Sequence, residues 1–200
     1  YRYPARPLTN AGLCYLRLKD EPKAADAAQP TRQDLPGSPA LSILRNGPQS
    51  FKGRKAGALV TDGVDAALLA ALRQALEEEG AMLAIVAPKA GGVRASDGSL
   101  VMGDEAVPGG PSVLFDAVAV LPSKEGLADL LMEPSARDFV ADAFAHYKIV
   151  GYAAAAEPLF RKAGLPEELD NGFLKLEKPA DAKAFVAACR QARFWERAGA

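Results

Sequence analysis

From Lys55 onward the chain alternates short apolar runs with stretches of helical periodicity, and this alternation limits the fold more than any other feature. Lys55–Thr61 (KAGALVT), Met82–Ala87, Phe115–Leu121 (FDAVAVL) and Lys148–Ala153 have the length and composition of buried strands. Between them, Asp65–Glu79 carries Leu68, Leu72 and Leu76 at helical spacing after Val64, with Leu69 and Ala75 widening the stripe. Asp62 or Asp65 can cap this helix and Gly80 can close it. Helices are also predicted at Glu125–Met132, Ser135–Tyr147, Glu157–Ala163 and Asp181–Arg197. Gly91–Met102 reads as a small hairpin turning at Asp97-Gly98, and Phe173–Leu176 as a short strand after an Asp-Asn-Gly turn. Strands that alternate with helices bury both faces of a parallel sheet, and the crossovers are right-handed. The predicted fold class is therefore α/β: a flavodoxin-like, doubly wound, mainly parallel sheet with helices on both faces, plus a small β-hairpin.

The first fifty residues follow a different grammar. They hold seven of the fifteen prolines, which remove backbone donors and keep the preceding residue out of the helical region. One short strand is expected at Leu13–Leu18, followed by a charged, Ala-rich stretch and a Pro-rich linker. The predicted organisation is an arm or linker over residues 1–53 and a folded domain over residues 54–200. The chain starts without Met and without a secretory signal, which suggests a fragment of a larger cytoplasmic protein. A formal net charge of −1 supplies no global field to attract nucleic acid or anionic lipid, and no apolar run reaches membrane-spanning length. Two cysteines and one histidine leave too few ligands for a disulfide framework or a cysteine zinc cluster, so no metal site is expected.

In open α/β sheets a ligand site lies beyond the carboxyl ends of the strands. Here those ends are Thr61-Asp62-Gly63, Leu121-Pro122-Ser123 and Ala153-Ala154-Ala155. Gly63 is flanked by Asp62 and Asp65, whose charges would repel a phosphate, so a turn glycine and helix caps are the better reading. Gly91-Gly92 and Gly109-Gly110 match no dinucleotide fingerprint. Ser123 follows a strand, with Lys124 and Glu125 beside it, but it has no adjacent base and reads as a helix cap. His146 precedes its strand, so it falls at the amino edge, away from any such site. Cys189 shares a helical stripe with Phe185 and Ala192 and reads as a small core residue, while Cys14 lies in the arm without a nearby histidine.

Several segments, taken in order, resemble a known family. They are Pro39-Ala40-Leu41-Ser42, Phe51-Lys52-Gly53-Arg54-Lys55, Leu59–Asp65, Ala95–Ser99, Gly110–Val118, Asp138–His146 and Phe194-Trp195-Glu196-Arg197. Together they resemble the C-terminal domain of large-subunit haem catalases, over roughly Thr31 to Arg197. That domain is in turn similar to the class I glutamine amidotransferase-like, PfpI-type superfamily, whose active members carry a cysteine on a sharp strand-to-helix turn. The resemblance places this elbow at Ile149–Ala155. The nucleophile position is then Ala153, followed by Ala154 and Ala155, and the supporting glutamate position falls near Leu68, with Asp65 close by. It implies a domain with no catalytic, cofactor or metal residues of its own. Its parent would be a homotetrameric catalase that decomposes hydrogen peroxide with haem held in its core. The domain's partners would be that core and the sister subunits. Exposed apolar side chains would make the contact: Phe194, Trp195, Leu130, Leu131, Met132, Leu41, Ile43 and Leu44. The alternatives are a stand-alone PfpI- or glyoxalase-like hydrolase, and a small-ligand-binding module that uses the vacated pocket.

Overall fold

The computed structural model describes Asp34 and residues 36–199. The strand expected at Leu13–Leu18, including Cys14, lies outside those residues. Residues 40–200 group as one compact unit. Its strands are β1 (Lys55–Val60), β2 (Met82–Ala87), β3 (Val93–Arg94), β4 (Leu100–Val101), β5 (Glu105–Ala106), β6 (Ala117–Leu121), β7 (Val150–Tyr152) and β8 (Phe173–Lys175). Its α-helices are α1 (Ile43–Asn46), α2 (Ala66–Glu78), α3 (Leu127–Met132), α4 (Pro134–Ala145), α5 (Glu157–Lys162) and α6 (Asp181–Cys189).

Six strands form one sheet in the order β5-β2-β1-β6-β7-β8, every neighbouring pair parallel. Without the edge strand β5 this is the flavodoxin-like order, with β1 central. From β1 the chain winds to one side through β2, then to the other through β6, so the direction of winding switches between β1 and β6. β3 and β4 form the separate antiparallel hairpin, pairing Val93 with Val101 and Arg94 with Leu100. Gly98, at φ +83°, makes its turn.

The period of two in the strands divides the core between the two faces of the sheet. Ala56, Ala58 and Val60 of β1, with Ala117, Ala119 and Leu121 of β6, point to one face. There α2 supplies Leu68, Leu72 and Leu76, and α6 supplies Phe185, Val186 and Cys189. Each of these leucines gains about 2 kcal/mol by leaving water. Leu59, Val118 and Val120 point to the opposite face, against Leu130 of α3, Phe139 and Val140 of α4, and Leu159 and Phe160 of α5. Gly57 faces this second layer, where the Phe115 ring occupies the space a Cβ would need.

Asp65, not Asp62, caps α2: its Oδ1 accepts the Leu68 N–H at 2.8 Å. Asp62 accepts the Arg94 N–H at 2.7 Å and so ties the hairpin to the end of β1. At the far end of α2, Gly80 takes φ +74° and the Ala81 N–H donates to the Leu76 carbonyl, a helix-closing pattern that favours glycine. Phe51, three residues before Arg54, is fully buried, and its N–H donates to Glu79.

Three expectations need correction. The last helix does not run from Asp181 to Arg197: it ends at Cys189, Ala192 adopts φ +63°, and a 3-10 turn covers Trp195–Gly199. The reversal lets the Phe194 N–H reach the Tyr147 carbonyl and the Arg193 guanidinium reach the Asp116 carbonyl. Ala192 therefore does not share a helical stripe with Cys189. Leu130 is not a surface contact group, because it is buried under α3 in the second layer. The edge strand β5 was not foreseen: two residues, one of them charged, carry no periodic signal.

Candidate functional site

At the switch of winding, the crevice where such sheets hold their ligands opens between the ends of β1 and β6. In this chain hydrogen bonds between the two loops draw it shut. The Ser123 N–H donates to Thr61 Oγ1 at 2.9 Å, and Ser123 Oγ donates to the Asp62 carbonyl at 2.6 Å. Ser123 Oγ also accepts the Gly126 N–H at 2.8 Å, so the serine caps the turn leading into α3. Thr61 is buried, and Gly126 lies so close to it that a Cβ there would collide with the threonine side chain. Gly63 adopts φ +81°, and a Cβ there would press on Ser123. With its proton given to the Asp62 carbonyl and a lone pair taken by the Gly126 N–H, the Ser123 hydroxyl has no base among its partners to activate it.

The expected elbow lies one strand further on. β7 ends at Tyr152, Ala153 is extended at φ −79° and ψ 147°, and a 3-10 turn over Ala154–Ala156 leads into α5. The Ala153 N–H completes the pairing with Val120 at 3.0 Å. Among the described residues the non-glycine positions with positive φ are Tyr147 and Ala192, so the elbow holds no strained residue. Ala153 packs partly into the first core layer, and Leu68 is buried in that layer as well. Asp65 is committed to its capping bond. The structure thus brings Ser123 against Asp62 and Gly63, and it places His146 at the opposite edge of the sheet.

His146 follows α4 at the amino edge of the sheet and is exposed. Cys189 is completely buried, and burial pushes its thiol up, away from the thiolate a nucleophile needs. Among the described residues no group of three His, Cys, Asp or Glu side chains could hold a metal ion. No helix among them is long and apolar enough to cross a membrane.

Sequence reasoning missed a cationic cluster at the amino edge. Lys148 is buried, and its ammonium donates to the carbonyls of Ser112 and Phe115. Burial lowers its pKa to about 8, helped by the Arg193 charge and opposed by Asp116 and Asp142. Arg193 donates to the Asp116 and Ala192 carbonyls, and burial lowers its pKa too. Arg54 stands 3.8 Å from the Asp116 carboxylate. Arg197 forms a two-point pair with Asp170 at 2.6 and 2.8 Å and lies over the rings of Phe144, Phe173 and Phe194. The one local hint was a lysine directly abutting an apolar strand.

The profile of the family described as the C-terminal domain found in long catalases matches residues 52–199. Catalase C of Rhizobium meliloti is 53% identical over 91% of this chain and 26% of its own length. Catalase HPII of Pseudomonas putida is 33% identical over 90% of this chain and 24% of its own. The chain thus spans about a quarter of the length of the curated relatives it matches. Among solved structures, oxidized DJ-1 of Toxoplasma gondii superposes with TM-score 0.58 at 14% identity, covering 74% of this chain and 95% of its own. A DJ-1 superfamily protein of Salmonella typhimurium, in a cysteine-to-alanine mutant, gives TM-score 0.58 at 19% identity over 68% of this chain and 89% of its own. At those identities the likeness is one of fold, and it agrees with the doubly wound sheet described above. The match over residues 52–199, with relatives that are themselves catalases, supports one conclusion: this chain belongs to the family of C-terminal domains found in long catalases.

Proposed function

We propose that this domain carries out no chemistry and serves a haem catalase as a folded structural part. The observation that carries the reading is the closed switch-point crevice. Where the fold would admit a substrate, Ser123 is bonded onto Thr61 and Asp62 and holds the Gly126 N–H, and the neighbouring elbow offers the methyl groups of Ala153, Ala154 and Ala155. A methyl group cannot attack a carbonyl, and general-base catalysis needs a partner within hydrogen-bond reach.

Among the described residues, neither His146 nor Tyr152 is placed as a haem ligand would be. A haem needs an axial ligand standing over a flat apolar slot. His146 is exposed at the end of α4, and Tyr152 packs edge-on against Phe160 and Phe173. In this reading the haem and the decomposition of hydrogen peroxide belong to a core domain of the cytoplasmic parent enzyme, a homotetramer. The domain's partners are that core and the sister subunits. Large apolar side chains left in water, among them Met132, Leu41, Met82, Leu100 and Met102, supply contact surface. Binding that favours the folded state raises the apparent stability of the assembly.

The test removes residues 54–200 from the full-length enzyme and follows two quantities together, specific activity at room temperature and half-life under heat or urea. The expected truncation keeps much of its specific activity and loses half-life. Unchanged half-life would sink the structural role, and a stable enzyme that no longer turns over peroxide would replace it with a gating role.

A further inference from the structure

At the amino edge, opposite the closed crevice, a cleft of about 350 Å³ lies between α1 and the reversed segment that follows α6. Its walls are the apolar side chains of Ile43, Leu44, Pro48 and Trp195, and its charged groups are Arg54 and Arg193. We propose that this cleft binds a small carboxylate carried on an apolar body, such as a single-ring aryl acid. The proposal concerns the chain by itself, and its test does not depend on the domain's role beside a catalase core.

Charge bookkeeping at this edge leaves a positive excess. Arg54, Arg193 and the buried Lys148 gather around one carboxylate, Asp116, with Asp142 acting on Lys148 alone. Asp116 is itself divided, since its Oδ2 accepts the Lys55 N–H at 3.2 Å while Arg54 reaches Oδ1 only at 3.8 Å. Arg193 spends its bonds on two carbonyl oxygens, which satisfy donors but neutralise no charge. A guanidinium presents a planar fork matched to a carboxylate, and the half-buried setting screens the attraction less than open solvent would. Ile43 and Leu44 remain mostly exposed although they line the cleft, so an apolar ligand body would cover surface that the chain leaves wet. The modest volume suits one ring and its acid group rather than a nucleotide.

Trp195 is the only tryptophan in the sequence, so the cleft carries its own fluorophore. Phenylacetate titrated into the full chain should change Trp195 emission saturably, with a Kd on the order of 1 mM. Binding should weaken as sodium chloride is raised. Phenylethanol, which keeps the ring and lacks the charge, should bind at least about tenfold more weakly. Arg54→Gln removes the charge from a side chain whose ion pair among the described residues is the long 3.8 Å contact to Asp116, and it should weaken phenylacetate by a similar factor. Leu44→Ser removes one apolar wall without touching charge and should weaken it too, which keeps the test decisive if the arginine variant folds poorly. An absent or unsaturable response, equal binding of phenylethanol, or full affinity in both variants would each overturn the proposal.

Discussion

Ser123 makes three hydrogen bonds with one short side chain and its own N–H, to Thr61, Asp62 and Gly126. Ser123→Ala should therefore cost about 1–2 kcal/mol, read as a lower urea midpoint at unchanged slope. An unaltered midpoint would mean the crevice is held shut by packing alone. Lys148 gives a prediction in pH. Its folded pKa, about 8, is below the ordinary 10.5, so between these values the unfolded chain holds a proton that the folded chain has released. Stability from this group thus rises with pH across that window and is at its lowest below pH 8. Cys189 acts in the opposite sense, because its raised pKa makes the unfolded thiol ionise first, which lowers stability above about pH 9. Subtracting the pH profile of a Lys148→Met variant from that of the parent isolates the lysine, and the difference should climb from pH 8 to 10.5. A flat difference would show that the ammonium is better solvated than its burial implies. The role of Lys148 was not readable from the sequence. Ser123 was legible as a cap, but its second partner lies 61 positions away.

At the scale of elements, legibility followed periodicity. α2 and β2 appear where the pattern placed them, because five leucine and alanine positions at helical spacing, or six apolar residues in a row, admit one partner surface each. The last helix was overextended because Ala188–Arg197 contains neither glycine nor proline to stop it. What ends α6 is tertiary: the bonds of Arg193 and Phe194, and the Arg197–Asp170 pair, outweigh one residue of left-handed strain at Ala192. Two outcomes follow. Ala192→Gly relieves that strain and should raise stability by about 0.5–1 kcal/mol in chemical denaturation. Arg197→Ala removes a buried guanidinium with its pair to Asp170 and its packing on three rings, and should lower it by about 1–3 kcal/mol. Equal and small effects from both would mean that the reversed segment is not anchored by these bonds.

For the whole molecule, the doubly wound sheet and its hairpin were legible, since alternation alone selects that architecture. The state of the crevice was not legible, because it depends on how two distant loops meet. The arm–domain division at residue 53 has a sharper form now that Phe51 is known to be fully buried and bonded to Glu79. We propose that the independent folding unit starts just before Phe51. A chain begun at Ser50 should match the thermal midpoint of the 200-residue protein, whereas Phe51→Ala should fall by about 3–5 kcal/mol. A large loss on truncation would show that the preceding residues belong to the unit. The closed crevice also bears on descent. If Ala153 holds the superfamily's nucleophile position, as the resemblance implies, a cysteine installed there would stand on a relaxed turn beside the loops that Ser123 joins, with Asp65 kept in its capping bond. Several independent substitutions would have to coincide before selection could act on any turnover. On the structural role proposed above, the closure works as an evolutionary ratchet, holding this lineage of the fold to life as architecture.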